Sequence, residues 1–129
     1  MPGTSHELRW GRPLNRKKLG DRGEEIALQH LLRQGYSLVE RNYRTRYGEL
    51  DLILRHGDTL VFVEVKLRRG TGFGDPLEAV TEHKQATIRG IAEQYLAEEQ
   101  PEFEQARFDV VGILAEGASY RIEHIEEAF

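Results

Sequence analysis

Apolar positions recur along this chain in two periods, and the switches between them mark its elements. Over residues 17–34 the set Leu19, Ile26, Ala27, Leu28, Leu31 and Leu32 keeps helical spacing, and Gly35 stands where a C-terminal cap belongs. Residues 36–42 then read as a strand and residues 43–47 as a basic turn. Residues 48–54 and 60–66 read as two further strands, and the Gly57-Asp58 dipeptide between them suits a two-residue hairpin loop. Residues 69–74 are glycine-rich and predict a loop. Asp75, Pro76 and Glu78 then combine an N-cap, a proline at the first helical position and an acid three after the cap, so a turn of helix is predicted there. Thr81 offers a restart for an amphipathic helix through Ile88, Ile91, Ala92, Tyr95 and Leu96 to about residue 99, in spite of Gly90. Strands are predicted over 107–114 and 120–125. The order αβββαββ predicts an α/β fold, a mixed sheet flanked by helices, in which an antiparallel meander is joined by a parallel, right-handed crossover to the Phe108 strand. Residues 1–16, with Pro2, Gly3, Gly11 and Pro13, read as a mobile basic leader ahead of a single domain at 17–129.

Two of these strands carry acids where apolar residues are the rule. In 60–66, Val61, Val63 and Val65 face one way, while Phe62, Glu64 and Lys66 face the other. Both sides of that strand look covered, so a charge pair within it asks for a function. In 48–54, Asp51 shares its side with Glu49 and Ile53. A loop of Gly57-Asp58 sets Asp51 directly across from Glu64 and Glu49 across from Lys66, with Cβ atoms about 4.5–5.5 Å apart. Carboxylates that close are costly to ionise together unless a cation lies between them, and hard divalent ions prefer such oxygen ligands. The competing reading is a wet sheet face on which Glu49 and Lys66 form an ordinary cross-strand ion pair worth about 0.2–1 kcal/mol.

Composition narrows the alternatives. At 129 residues the chain is of single-domain size, and 39% apolar with 31% charged residues is ordinary for a globular protein. It has no cysteine, which excludes disulfides, thiolate zinc sites and cysteine nucleophiles. No apolar run reaches membrane-spanning length and the start is polar and basic, so a cytoplasmic location is expected, without a membrane partner. The net charge of −4 hides an asymmetry: residues 1–69 hold 14 Lys and Arg against 9 acids, and residues 70–129 hold 4 against 13. Basic residues gathered around an acid site are what attracts a phosphate backbone. His56 in the hairpin loop and His83 near a helix start are expected at the surface, and His30 and His124 carry no distinguishing signal. Asp109, between apolar neighbours, suits a structural hydrogen bond to a nearby arginine.

Several spaced motifs now coincide. Gly23-Glu24 with Ala27, Arg41-Asn42, Gly48 to Ile53, Val61 to Lys66 with Arg68, Phe73-Gly74, Lys84, Arg107 to Val110 and Ala128-Phe129 match in order, so the chain resembles the YraN family of small bacterial proteins. Through that family it resembles the restriction-endonuclease-like fold with its PD-(D/E)xK active site, similar to archaeal Holliday-junction resolvases. The proline that names this superfamily is Leu50 here. The resemblance implies Asp51 and Glu64 as ligands of Mg²⁺ or Mn²⁺, with the Val65 carbonyl as a third, and Glu24 as a helix carboxylate approaching the metal directly or through water. It implies Lys66 as the group that orients or deprotonates the attacking water, and Arg41, Arg44, Arg46, Arg68 and Lys84 as contacts to a nucleic-acid backbone. The expected partner is nucleic acid, DNA before RNA, with branched DNA and a homodimer within what the resemblance allows. A nucleic-acid-binding adaptor that keeps the site without turnover, and a purely structural ion network, remain open beside the nuclease.

Overall fold

In a computed structural model, which describes residues 4–9, 16–69 and 76–129, with 4–9 and 16–20 by backbone alone, the first helical period becomes α1 (Arg16–Arg33). Its end is fixed by Gly35, whose φ of +92° is open to a residue without Cβ; Tyr36 N–H bonds back to Leu31 O at 3.1 Å and Gly35 N–H to Leu32 O at 3.1 Å. The meander follows as β2 (Ser37–Thr45), β3 (Gly48–His56) and β4 (Thr59–Arg69). β2 therefore runs through most of the stretch expected to be a basic turn, leaving Arg46-Tyr47 as the loop; Thr45 Oγ1 accepts from Tyr47 N–H at 3.0 Å and tightens it. A 3₁₀ turn (Pro76–Ala79) and α2 (Glu82–Glu99) come next, then β5 (Gln105–Glu116) and β6 (Ser119–Ile125). Thr81 caps α2, its hydroxyl accepting from Lys84 N–H at 3.2 Å. The expected loop over 69–74 and cap at Asp75 lie outside the described residues, save for Arg69 at the end of β4.

Within the expected leader, Thr4–Arg9 form a strand, β1, paired antiparallel with β6. The sheet order is thus β1-β6-β5-β4-β3-β2, with β4 and β5 its parallel pair and every other neighbour antiparallel. A parallel pair needs a crossover, which α2 supplies. This mixed α/β architecture, in the order αβββαββ after β1, is the one the periodicity of the sequence predicts.

Alternation along β4 builds two cores. Leu52, Leu54, Val61, Val63, Val111 and Ile113 pack against Ala27, Leu28 and Leu31 of α1. Ile53, Leu60, Phe62 and Val110 pack against Ile88, Ile91, Ala92 and Tyr95 of α2. Both faces of β4 are dry, as its sequence requires. Gly112 of β5 lies beside Lys66 in register, and a Cβ there would collide with the Pro76 ring, so the absence of a side chain is what lets the segment entering α2 seat on the sheet. Among the described residues no helix is long and apolar enough to cross a membrane.

Candidate metal centre

The hairpin register is the expected one where strands pair, with Leu52 opposite Val63, Ile53 opposite Phe62 and His56 opposite Thr59. The ladder stops at Leu52, so the direct pairings of Asp51 with Glu64 and of Glu49 with Lys66 do not form. Asn42 of β2, at φ +53°, lies beside this point, and the regular alternation of β3 also fails there: Leu52 packs in the α1-side core and Leu50 in the α2-side core. β3 thus turns away from β4 at Asp51, leaving the Val65 N–H without a strand partner. The Asp51 carboxylate replaces it, accepting from Val65 N–H at 2.7 Å. A strand pair that forks leaves a notch reached from both faces of the sheet.

Acids enter the notch from each side. Glu24 comes from α1, Glu49 and Asp51 from β3, and one ligand oxygen from each lies within 4.8 Å of the others, so these three can hold a metal ion. Asn42 bridges two of them, its Nδ2 donating to Glu24 Oε1 at 2.6 Å and to Glu49 Oε1 at 2.9 Å. Burial pushes the Glu24 carboxyl up, as do the nearby Glu49 and Asp21 charges, against the Asn42 bond and Arg41. From the α2 side comes Glu64, only 5% exposed at its side chain. Burial pushes the Asp51 carboxyl up to about 9, reinforced by the Glu64 carboxyl within hydrogen-bonding reach and opposed by the Val65 N–H. Glu64 Oε2 is buried and has no hydrogen-bond partner among the described residues. A buried carboxylate oxygen without a hydrogen bond, beside a second carboxyl, fits a divalent cation, which would let both ionise.

The predicted site residues divide as follows. Asp51 is the shared member: it lies beside Glu64 and also in the acid group with Glu24 and Glu49, a group that does not include Glu64. Lys66 is half-buried on the strand of Glu64, with no hydrogen bond or ion pair among the described residues. Lys84, expected on a nucleic-acid backbone, instead points its Nζ at Glu64 Oε2, 3.3 Å away. Arg41 is tied to Glu25 at 3.1 Å and Arg44 to Glu49 at 2.7 Å, while Arg46 lies over the Tyr47 ring and Arg68 is exposed. Glu49 pairs with Arg44 because the fork carries it away from Lys66. Its place among the acids was not anticipated, nor was the bridging role of Asn42. The polar Asn42 next to Arg41 was the available signal, since Asn accepts the left-handed conformation that bends a strand.

A second charged cluster sits apart from the notch. Asp109, fully buried, accepts from Arg107 Nε at 2.9 Å, Arg107 NH2 at 3.1 Å, His124 Nε2 at 2.8 Å and Glu127 N–H at 3.2 Å. The expected arginine bond is present; His30 is buried, and His124 is half-buried with its side chain against Asp109.

Residues 23–113 match the Uncharacterised protein family UPF0102, which spans both the acid strands and α2. The chain belongs to this family. That is the YraN family whose motifs it carries. It is 49% identical to a UPF0102 protein of Rhodococcus opacus (strain B4) over 112 residues, 86% of this chain and 95% of the relative. It is 49% identical over 113 residues to one of Syntrophomonas wolfei, 88% and 98% of the two chains, and 41% identical over 118 residues to one of Dictyoglomus turgidum, 90% and 100%. Among solved structures, Pyrococcus furiosus SfsA in complex with Ca²⁺ aligns with 95% of this chain and 69% of its own, at 13% identity and a TM-score of 0.35. A likeness that weak bears on neither fold nor function.

Proposed function

We propose that this UPF0102 protein is a divalent-metal-dependent nuclease that hydrolyses phosphodiester bonds in DNA. The observation that carries the reading is the buried Glu64 Oε2, without a hydrogen bond among the described residues, beside the Asp51 carboxyl at a fork in the sheet. Asp51 and Glu64 would hold Mg²⁺ or Mn²⁺, with Glu24 and Glu49 grouped on the Asp51 side of the centre. Such an ion supplies positive charge for a phosphoryl oxygen and makes a water acidic enough to attack. Lys66, half-buried and without an ion pair among the described residues, orients that water and stabilises the charge growing on the phosphate as the P–O ester bond breaks. The departing oxygen leaves with a proton from solvent. Arg44, Arg46 and Arg68 contact the sugar–phosphate backbone without reading bases, which makes recognition one of shape, with branched DNA a fitting substrate.

The test is cleavage of labelled duplex, single-stranded and four-way-junction DNA in Mg²⁺ or Mn²⁺ by wild type, Asp51→Asn and Lys66→Ala. Cleavage by wild type, reduced by about 100-fold or more in each variant, is the expected result. DNA binding with no cleavage by any of the three would replace the nuclease with a nucleic-acid-binding adaptor. The same panel with RNA decides between the two polymers.

A further inference from the structure

Among the described residues, two buried carboxylates lie on adjacent parallel strands, and they are treated in opposite ways. Asp109 on β5 takes four hydrogen bonds from three residues, the pattern of a permanent structural ion. Glu64 on β4 has a cation nearby, Lys84 Nζ at 3.3 Å from Oε2, yet that oxygen receives no aligned hydrogen bond. A pair meant to be permanent in so dry a place would be expected to align its donors, because a buried charge without hydrogen bonds is expensive. The Lys84 contact has the character of a loose one.

The two ends of the contact differ in freedom. Glu64 is held by β4 between both cores, whereas the Lys84 side chain is 38% exposed and reaches Glu64 on a flexible four-carbon stem from the first turn of α2. The backbone of that turn is fixed by the Thr81 cap and by Ile88 and Ile91 packed on the sheet, so the ammonium can swing while its anchor stays. The oxygen that Lys84 faces is also the one a metal ion would need, and two cations cannot share it without repulsion.

We infer that Lys84 is a resident counter-cation: it neutralises Glu64 while the centre is empty, yields that oxygen to the incoming divalent ion, and is then free to meet a phosphate of the nucleic acid. This rests on the metal centre proposed above. It makes Lys84 a positioning residue of the site, with a duty before the nucleic acid arrives.

The test compares wild type, Lys84→Met, which keeps the stem and removes the charge, and Lys84→Arg. Calorimetric titration with MnCl₂ is expected to show several-fold tighter uptake by Lys84→Met than by wild type, with Lys84→Arg close to wild type. Thermal melting gives a second readout. Lys84→Met should melt below wild type in EDTA, and saturating Mn²⁺ should close most of that gap. Equal or weaker Mn²⁺ affinity in Lys84→Met, or a melting deficit that Mn²⁺ leaves unchanged, overturns the inference while leaving the metal centre standing. If wild type and both variants are folded and none takes up Mn²⁺, the metal centre itself fails and the inference goes with it.

Discussion

Asp109 shows what a buried charge looks like when its role is structural. Burial alone would raise its carboxyl, but the bonds from His124 and Arg107 outweigh burial and hold it below the usual carboxylate range. A depressed folded-state value means the contribution to stability is complete above the unfolded value, about 3.9, and is lost as pH falls through the folded one. Asp109→Asn should therefore destabilise the protein by about 3 kcal/mol near neutral pH, because it strands Arg107 and His124. Urea unfolding checks this: the gap between wild type and variant should be flat from pH 7 down to about 4 and narrow on further acidification. A constant gap down to pH 3 would deny the linkage. The Arg107 partnership was readable from an acid set in an apolar strand two residues after an arginine. The His124 contribution was not, since it depends on β6 bringing residue 124 beside Val111, a long-range pairing with no local signature.

Elements were more legible than contacts. Both helices, the hairpin and its register, and the strands β5 and β6 follow from periodicity, capping residues and one glycine turn. The fork escaped because a register extrapolated from a turn assumes a ladder that continues, whereas Asn42 at φ +53° and the switch of Leu50 to the α2-side core belong to the third strand and the distant helix. β1 escaped for a related reason: Thr4–Arg9 has little apolar alternation, and its pairing with β6 spans nearly the whole chain. The tight seat of Pro76 on Gly112 supplies a prediction at this scale. Gly112→Ala drives a methyl into the Pro76 ring, and the ring cannot rotate away. It should cost about 1–3 kcal/mol in urea unfolding. Since Gly112 lies beside Lys66 and Pro76 leads into the helix bearing Lys84, it should also lower any Mn²⁺ affinity; Gly90→Ala, whose Cβ would meet nothing within 4 Å, should do neither.

At the scale of the whole molecule, the charge asymmetry seen in the sequence acquires a place. Arg44, Arg46 and Arg68 belong to the β2–β3 loop end and the far end of β4, beyond the fork, whereas Glu98, Glu99, Glu102 and Glu104 lie at or past the C-terminal end of α2. The pair of exposed Arg44 with half-buried Glu49 contributes little to stability, so Arg44 can exchange its acid for a phosphate at small cost, and Arg46 and Arg68 have no acid to give up among the described residues. Nucleic-acid affinity should accordingly fall steeply with salt, and Arg46→Ala or Arg68→Ala should each lower the slope of log affinity against log salt by about 0.9. Fluorescence anisotropy across a salt series measures this, and slopes unchanged in both variants would place the nucleic acid on another face. The basic clusters themselves were plain in the sequence, but which arginines are engaged by acids required the packing of α1 against β2.

The fork has a mechanical side. Past Leu52, the tip of the β2–β3 ribbon is no longer stitched to the rest of the sheet by backbone bonds and is restrained only by side chains such as Leu50 and Tyr43 lodged against α2. Amide protons there should trade with deuterium well before those between Leu52 and His56, so the segment that contributes Asp51 and Glu49 to the acid cluster is also the most compliant part of the meander.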